Sequence, residues 1–240
     1  MQKLTIGNWK MNPGSLVEVK KLVQSLDKVK VGKNVSVAIC PPFVYLPLLK
    51  TKFTLGAQDA FGEEKGAYTG EISPSMLKNL GVEYVILGHS ERRIHIGETD
   101  ELIAKKIKGA MVAGLKVILC VGEPLAMRKK GMAASKKYVE GQLKKDLSLL
   151  KPKDRSKVIV AYEPIWAIST MPGAKPDSPE GAAEMIVSIK KITKGKVIYG
   201  GSVNGANARG FLERKEIDGA LPGGASLKPE EFRKIIEAAS

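Results

Sequence analysis

The stretch VIVAYEPIWAISTMPGAKPDSPEG, residues 158–181, combines the signals that decide the fold. It begins with an apolar run, residues 158–161, of the kind that lies inside a parallel sheet. Glu163 follows where that strand should end, and a loop of small, turn-forming residues leads to Ser178 and Pro179, a pair typical of a helix start. The stretch therefore predicts a strand, loop and helix with a carboxylate at the carboxyl end of the strand.

Similar apolar runs recur along the whole chain, at residues 4–6, 35–39, 53–55, 84–87, 117–121, 158–161, 197–199 and 217–221. Helical patterns follow most of them, such as the apolar face Leu16, Val19, Val23 and Leu26 behind the capping pattern of Ser15 and Glu18. Because no Pro-, Gly- or Ser-rich linker divides the chain, residues 1–240 are predicted to form a single α/β domain, a (β/α)8 barrel with a closed, parallel eight-stranded sheet. An open doubly wound sheet is the alternative, but its G-x-G-x-x-G signature is absent.

The net charge of +14 raises the question of a polyanionic partner. Lys accounts for 32 of the 39 basic residues, and aromatic residues make up only 5% of the chain. Recognition of bases favours clustered Arg and stacking aromatic residues. We therefore expect a Lys-coated surface and no nucleic-acid or membrane partner, although the positive field would steer a small anionic substrate.

Two cysteines, Cys40 and Cys120, lie in separate apolar runs. This indicates buried free thiols in a reducing compartment, not a disulfide. The amino-terminal residues MQKLTIGNWK lack the apolar core of a signal peptide, and no later run is long enough to span a bilayer. The sequence therefore predicts a soluble, cytoplasmic protein.

In either architecture the functional site lies at the carboxyl ends of the strands. These ends are polar or Gly-rich here. The first strand ends in Asn8, Trp9 and Lys10, the fourth in Gly88, His89, Ser90 and Glu91, and the sixth in Glu163. The seventh ends in Gly200, Gly201 and Ser202, and the eighth in Gly223, Gly224, Ala225 and Ser226. Glu163, beneath a loop that would exclude water, is placed as a general base, with a structural salt bridge as the alternative. The Gly-rich ends predict a phosphate cradle, with tight turns as the alternative.

His89 precedes a predicted helix start, which disfavours the imidazolium and keeps the ring neutral. Lys10, anchored behind Trp9, would place an ammonium near a substrate oxygen. A base, a neutral proton donor, a cation and a phosphate cradle suit proton abstraction next to the carbonyl of a small phosphorylated sugar, through an enediolate.

Nine motifs are spread along the chain: GNWKMN (7–12), AQDAF (57–61), KGAYTGEISPSML (65–77), LGHSERR (87–93), GETDEL (97–102), CVGE (120–123), AYEPIWAI (161–168), YGGSVN (199–204) and GGASL (223–227). They carry a resemblance to the triosephosphate isomerase family that covers essentially the whole chain. It implies a TIM barrel that needs neither cofactor nor metal and interconverts dihydroxyacetone phosphate and D-glyceraldehyde 3-phosphate in glycolysis and gluconeogenesis.

The resemblance also assigns roles. Glu163 would be the base that moves a proton between the two carbons, and His89 the neutral electrophile that shuttles protons between the oxygens. Lys10 would stabilise the enediolate, with Asn8 beside it and Glu91 holding it in place. Backbone N–H groups would bind the phosphate at Ser169, Gly201, Ser202, Gly223 and Gly224.

Segment 61–71 resembles the loop through which family members form homodimers. The resemblance implies that Thr69 reaches into the partner's site and that Glu71 and Arg92 pair across the interface. An exposed polar loop is the alternative.

The sequence departs from the family at the closing lid, which usually reads W-A-I-G-T-G-K-T-A and here reads WAISTMPGA, residues 166–174. Ser169 and Met171 replace glycines, and Pro172 replaces a lysine. Serine keeps its backbone N–H, whereas Pro172 removes a donor and fixes φ near the expected hinge. We expect a working lid with altered opening kinetics.

Two rival functions remain at this point. One is a phosphate-binding barrel enzyme that acts on a different sugar. The other is a binding protein whose altered lid has ended catalysis, but a binding protein has no need of the base Glu163.

Overall fold

The computed structural model describes residues 2–168 and 176–240 of the chain. In this part, eight parallel strands pair in sequence order, and β1 also pairs with β8, which closes the barrel. The strands are β1 (Lys3–Asn8), β2 (Val35–Cys40), β3 (Thr54–Ala57), β4 (Tyr84–Leu87), β5 (Lys116–Val121), β6 (Ile159–Tyr162), β7 (Val197–Tyr199) and β8 (Gly219–Ala220). The predicted closed (β/α)8 barrel is confirmed.

Helices surround the sheet. They are α1 (Leu16–Leu26), α2 (Pro74–Asn79), α3 (Asp100–Val112), α4 (Leu125–Arg128), α5 (Met132–Asp146), α6 (Pro179–Thr193), α7 (Ala208–Leu212) and α8 (Pro229–Ala238). Shorter turns of 3-10 helix lie at Phe43–Leu48, Pro152–Lys157, Ile165–Ala167 and Gly224–Leu227, and a π-helical turn lies at Arg92–Ile96. No helix in the described ranges is both long and apolar enough to cross a membrane.

Alternation along each strand builds two apolar layers. In β2, Ala38 and Cys40 point into the barrel, while Val37 and Ile39 face the surrounding helices. The inner layer also contains Leu4, Ile6, Tyr84, Ile86, Ile118, Cys120, Ala161, Ile198 and Leu221. Because both faces are buried, the strands read as unbroken apolar runs in the sequence. Both cysteines are buried free thiols, as predicted.

Two helix starts follow their sequence signals closely. The Ser15 side chain accepts a hydrogen bond from the Glu18 N–H at the start of α1, at 3.3 Å. The Ser178 hydroxyl accepts one from the Gly181 N–H at the start of α6, at 3.0 Å. Each bond satisfies a backbone donor that has no partner within its helix. These caps fix where the chain leaves the strand-exit end of the barrel, the end at which the strands finish.

Candidate functional site

A cavity opens at the strand-exit end of the barrel. Its walls come from the ends of β1, β4, β7 and β8 and from the segment after β6. The lining residues are Asn8, Lys10, His89, Ile168, Gly200, Gly201, Ser202, Val203, Leu221, Gly223, Gly224 and Ala225. Positions that are far apart in the sequence and that were predicted from the strand ends therefore line one cavity.

Glu163 lies beside this cavity, directly after β6. Its side chain is buried, and its Oε1 is 3.4 Å from Nε2 of His89. The Ser90 N–H approaches its other oxygen, Oε2, at 3.5 Å. A carboxylate at this position lies beside the cavity and against the His89 ring, which is the placement expected of a general base.

Hydrogen bonding fixes the orientation of the His89 ring. The Glu91 N–H donates to Nδ1 of His89 at 3.2 Å. A ring nitrogen that accepts a hydrogen bond carries no proton, so the geometry favours the neutral tautomer with its proton on Nε2. That N–H is on the side of the ring facing Glu163.

Lys10 is held from three sides. Its ammonium pairs with the Glu91 carboxylate, its N–H donates to Oδ1 of Asn8 at 3.0 Å, and its carbonyl accepts from Nε2 of Gln58 at 2.7 Å. The Lys10 backbone has φ of 53°, a left-handed conformation that is unusual for a residue with a side chain. Such strain is found where the surroundings fix a residue for function.

Gln58 was missed by the sequence analysis. It follows β3 directly, and its amide also donates to the carbonyl of Cys40 at 2.8 Å, so it ties the ends of β1 and β2 together. The rule that found the other site residues, a polar side chain at a strand end, applies to it equally.

Backbone N–H groups form the glycine-rich part of the cavity. Those of Gly201, Gly223 and Gly224 donate to no described residue. The Ser202 N–H, in contrast, donates to the carbonyl of Ala167 at 3.1 Å. A Cβ on Gly223 would lie 3.2 Å from Cε of Lys10, so glycine keeps the backbone close to the lysine.

A second set of buried groups, which the sequence did not mark as part of the site, lies under the start of the lid segment. Glu123 is fully buried and accepts hydrogen bonds from the Tyr162 hydroxyl and from Nε1 of Trp166, at 3.0 to 3.2 Å. Arg128 lies over the Trp166 ring and pairs with Asp177 at 3.1 Å. These contacts anchor both ends of the segment that follows β6.

The remaining predicted residues fall into two groups. Ser169, with the other changed lid residues, lies outside the described residues. Thr69 and Glu71 are exposed, while Arg92 is half-buried and pairs within its own chain with Asp59 at 2.8 Å and Glu98 at 2.7 Å. A partner's Glu71 would therefore meet a guanidinium that is already paired. In the described ranges, no group of three or more His, Cys, Asp and Glu could hold a metal ion.

Comparison with known proteins gives one consistent result. A sequence model of the family described as "Triosephosphate isomerase" matches residues 3–239. Proteins named triosephosphate isomerase are similar over nearly the full length of both chains. The protein from Coprinopsis cinerea is 43% identical over 97% of this chain and 96% of its own, that from Caldanaerobacter subterraneus subsp. tengcongensis is 44% identical over 96% of both, and that from Dictyoglomus thermophilum is 43% identical over 99% of both.

Proposed function

Because the chain belongs to the triosephosphate isomerase family, we propose that it is an aldose–ketose isomerase that interconverts dihydroxyacetone phosphate and D-glyceraldehyde 3-phosphate in glycolysis and gluconeogenesis. The observation that carries the proposal is the contact between the buried Glu163 carboxylate and the His89 ring beside Lys10. This arrangement provides a base, a proton donor and a cation at one cavity.

Glu163 is the base of the proposed reaction. It removes a proton from the carbon next to the carbonyl and returns it to the neighbouring carbon, passing through an enediolate. Triosephosphate isomerase is itself the standard example of a glutamate base that works with a neutral histidine. What this chain adds is the local support: the Glu163 N–H donates to the carbonyl of Val121 at 2.8 Å, so β5 holds the base in position.

His89 and Lys10 act on the substrate oxygens. The Nε2–H of His89 donates to the oxygen that gains charge as the enediolate forms, and it moves protons between the two oxygens. The Lys10 ammonium stabilises the same negative charge, and its pairing with Glu91 holds it in position. The Asn8 side-chain oxygen supports Lys10 by accepting a hydrogen bond from the Lys10 backbone N–H.

The phosphate binds to backbone N–H groups of Gly201, Ser202, Gly223 and Gly224, and to that of Ser169 when the lid closes. The Ser202 N–H must leave the carbonyl of Ala167 before it can reach a phosphate. Phosphate binding by Ser202 is therefore coupled to movement of Ala167, which lies in the lid segment 166–174.

The protein functions as a homodimer in the cytoplasm, and residues 1–240 form one domain. The support for a dimer is a set of exposed apolar side chains on the connections that leave β1 to β4, namely Met11, Val44, Tyr68, Ile94 and Ile96. Exposed apolar side chains that cluster at one end of a molecule mark an interaction surface. Thr69 would reach the partner's site from this surface, and Glu71 would join the network of Arg92.

The test is turnover of D-glyceraldehyde 3-phosphate by the purified protein and by Glu163→Gln, with Glu184→Gln, an exposed residue of α6, as the matched control. We expect a loss of about 10²–10⁴-fold in kcat for Glu163→Gln and none for the control. A third variant restores the family lid, with Ser169, Thr170, Met171 and Pro172 changed to Gly, Thr, Gly and Lys.

Each outcome separates the competing functions. Low turnover that the lid variant restores would mean that the native protein has a binding role. Low turnover in every variant would contradict the isomerase proposal and favour a different phosphorylated sugar.

A further inference from the structure

Half of the net positive charge lies at the end of the barrel opposite the site. The connections that lead from a helix into the next strand hold thirteen Lys and Arg and six Asp and Glu, an excess of seven out of +14. The connections from a strand to the next helix hold nine of each sign. The first set is 27–34, 49–53, 80–83, 113–115, 147–158, 194–196 and 213–218; the second is 9–15, 41–42, 58–73, 88–99, 122–131, 163–178, 200–207 and 221–228.

We call this the strand-entry end, because the strands begin there. Its surface is more basic than the count of charged residues suggests. Eight of its lysines are exposed, and their ammonium groups have no partner among the described residues: Lys28, Lys30, Lys33, Lys50, Lys151, Lys153, Lys194 and Lys215. Several acidic groups at this end already accept hydrogen bonds or form ion pairs. Asp27 accepts a hydrogen bond from Thr51, and Asp218 pairs with Lys190 at 2.7 Å. The end therefore presents uncompensated positive charge to solvent.

A groove of about 450 Å³ lies at this end, between the last turn of α3 and the connection from α5 to β6. We call it the basic groove. It is lined by the apolar residues Met111, Val112, Leu149 and Leu150 and by the charged residues Lys108, Lys151, Lys153, Asp154 and Lys157. Asp154 is paired with Lys157 at 2.8 Å, so the rim remains positive.

The apolar residues of the basic groove differ in exposure. Met111 and Leu150 pack against the core and form its floor. Val112 and Leu149 are 80% and 49% exposed, so their burial by a partner would be favourable. An apolar floor between lysines is a combination that a segment with one apolar and one acidic side would complement.

We propose that the basic groove docks an acidic amphipathic segment of another protein, whose apolar residues cover Val112 and Leu149 and whose carboxylates pair with the rim lysines. The groove is at the end of the barrel away from Glu163, so docking leaves the proposed isomerase site open. The proposal does not depend on the proposed function.

Other occupants complement the groove less well. A second copy of the chain that docked through the same groove would bring two lysine rims together and would be repelled. A flat anionic bilayer would meet the lysines but would not enter a concave groove, and a nucleic acid offers phosphates without apolar groups to cover Val112 and Leu149.

The test uses a fluorescein-labelled synthetic helix with Leu at i, i+3, i+4 and i+7 and Glu at the remaining positions, read by fluorescence anisotropy. The variant is Lys151→Glu with Lys153→Glu. The matched control is Lys20→Glu with Lys21→Glu, two exposed lysines of α1 that change the net charge equally. Melting temperature and isomerase turnover are recorded for each protein, since neither pair belongs to the proposed site.

We expect saturable binding by the native protein, at least about tenfold weaker in the groove variant, unchanged in the control and weakened by salt. The proposal is overturned if the peptide does not saturate, if both variants lose affinity equally, or if a peptide with Lys in place of Glu binds as well. Binding of phosphatidylserine vesicles or duplex DNA without binding of the peptide would also overturn it, and would assign this end to another polyanion.

Discussion

At the scale of single residues, the position of Glu163 depends on a glycine in the neighbouring strand connection. A Cβ on Gly122 would lie 1.8 Å from the carbonyl oxygen of Glu163, so the backbone of the proposed base would have to move. We expect Gly122→Ala to lower kcat by about 10²-fold, because a displacement of about 1 Å at a catalytic group has that effect. Melting temperature should fall as well.

The control for this substitution is Gly14→Ala. There an added Cβ would have a single neighbour, Oε2 of Glu18 at 3.9 Å, which is an ordinary contact. Turnover and melting temperature should both stay close to those of the native protein. Equal turnover for Gly122→Ala and the native protein would show that the position of the proposed base tolerates a shift of the backbone.

Asp146 introduces a dependence of stability on pH. Burial raises its pKa to about 7, although Arg93 pairs with it at 2.6 Å and partly offsets the increase. Asp100, which pairs with the same guanidinium, and Lys145 beside it are the nearby charges. The pKa of Asp146 in the folded chain lies above its unfolded value of about 3.9. Its stabilising contribution to the free energy of unfolding is therefore fully present below about pH 4 and is lost as pH rises towards 7.

This dependence is measured by comparison with Asp146→Asn, which does not titrate. The melting temperature of the native protein relative to that of the variant should fall between about pH 4 and pH 7, and then stay level. A difference that is constant across this range, or that rises, would contradict the shifted pKa.

The sequence predicted that the polar and Gly residues at the strand ends lie together, because the carboxyl ends of parallel strands share one end of a barrel. Asn8, Lys10, His89 and the glycines do line one cavity, and Glu163 lies against His89. The supporting contacts were not predictable in the same way. Glu123 binds Trp166 and Arg92 pairs with Asp59, in each case across two connections, and only the folded chain shows which groups a long side chain can reach.

At the scale of elements, two helical glycines should respond to alanine in opposite directions. Gly141 lies within α5, and an added Cβ would meet nothing within 4 Å. Gly109 lies within α3, and an added Cβ would be 2.6 Å from the carbonyl oxygen of Gly62. Alanine should therefore raise the free energy of unfolding by about 0.5–1 kcal/mol at Gly141, because it restricts the unfolded chain, and should lower it at Gly109.

Chemical denaturation of the two variants at one protein concentration checks this pair. Stabilisation by Gly109→Ala would mean that the segment around Gly62 moves away without cost. Destabilisation by Gly141→Ala would mean that helix propensity does not govern α5.

The strands were predictable as elements, but their lengths were less so. All eight apolar runs became strands, yet β8 has only two residues although the run covers five. Pro222 ends the run because it lacks an N–H for the ladder. Gly219 allows the close approach of β1, since a Cβ there would lie 1.9 Å from the carbonyl oxygen of Leu4. The length of a strand therefore depends on the strands with which it pairs, and these lie far away in the sequence.

At the scale of the whole molecule, the two ends of the barrel differ in charge and in apolar exposure. The strand-entry end carries the excess of lysines, and the strand-exit end has balanced charge and the exposed residues Met11, Val44, Tyr68, Ile94 and Ile96. Association through the strand-exit end therefore brings apolar surfaces together and keeps the basic ends of two chains apart. The proposed homodimer and the proposed docking groove thus use different surfaces.

Val44 and Val112 provide a matched test of this division, because they are the same residue type at opposite ends and are 70% and 80% exposed. Val44→Glu places a charge in the proposed dimer surface, where it would be desolvated without a partner. We expect the dimer dissociation constant, measured by analytical ultracentrifugation, to rise at least about tenfold, equivalent to about 1.4 kcal/mol. Turnover should fall with the dimer fraction, since Thr69 would no longer complete the partner's site.

The control, Val112→Glu, should leave both the dimer dissociation constant and the turnover unchanged. An equal effect of the two substitutions, or a native protein that sediments as a monomer, would contradict the assignment of the strand-exit end as the dimer surface.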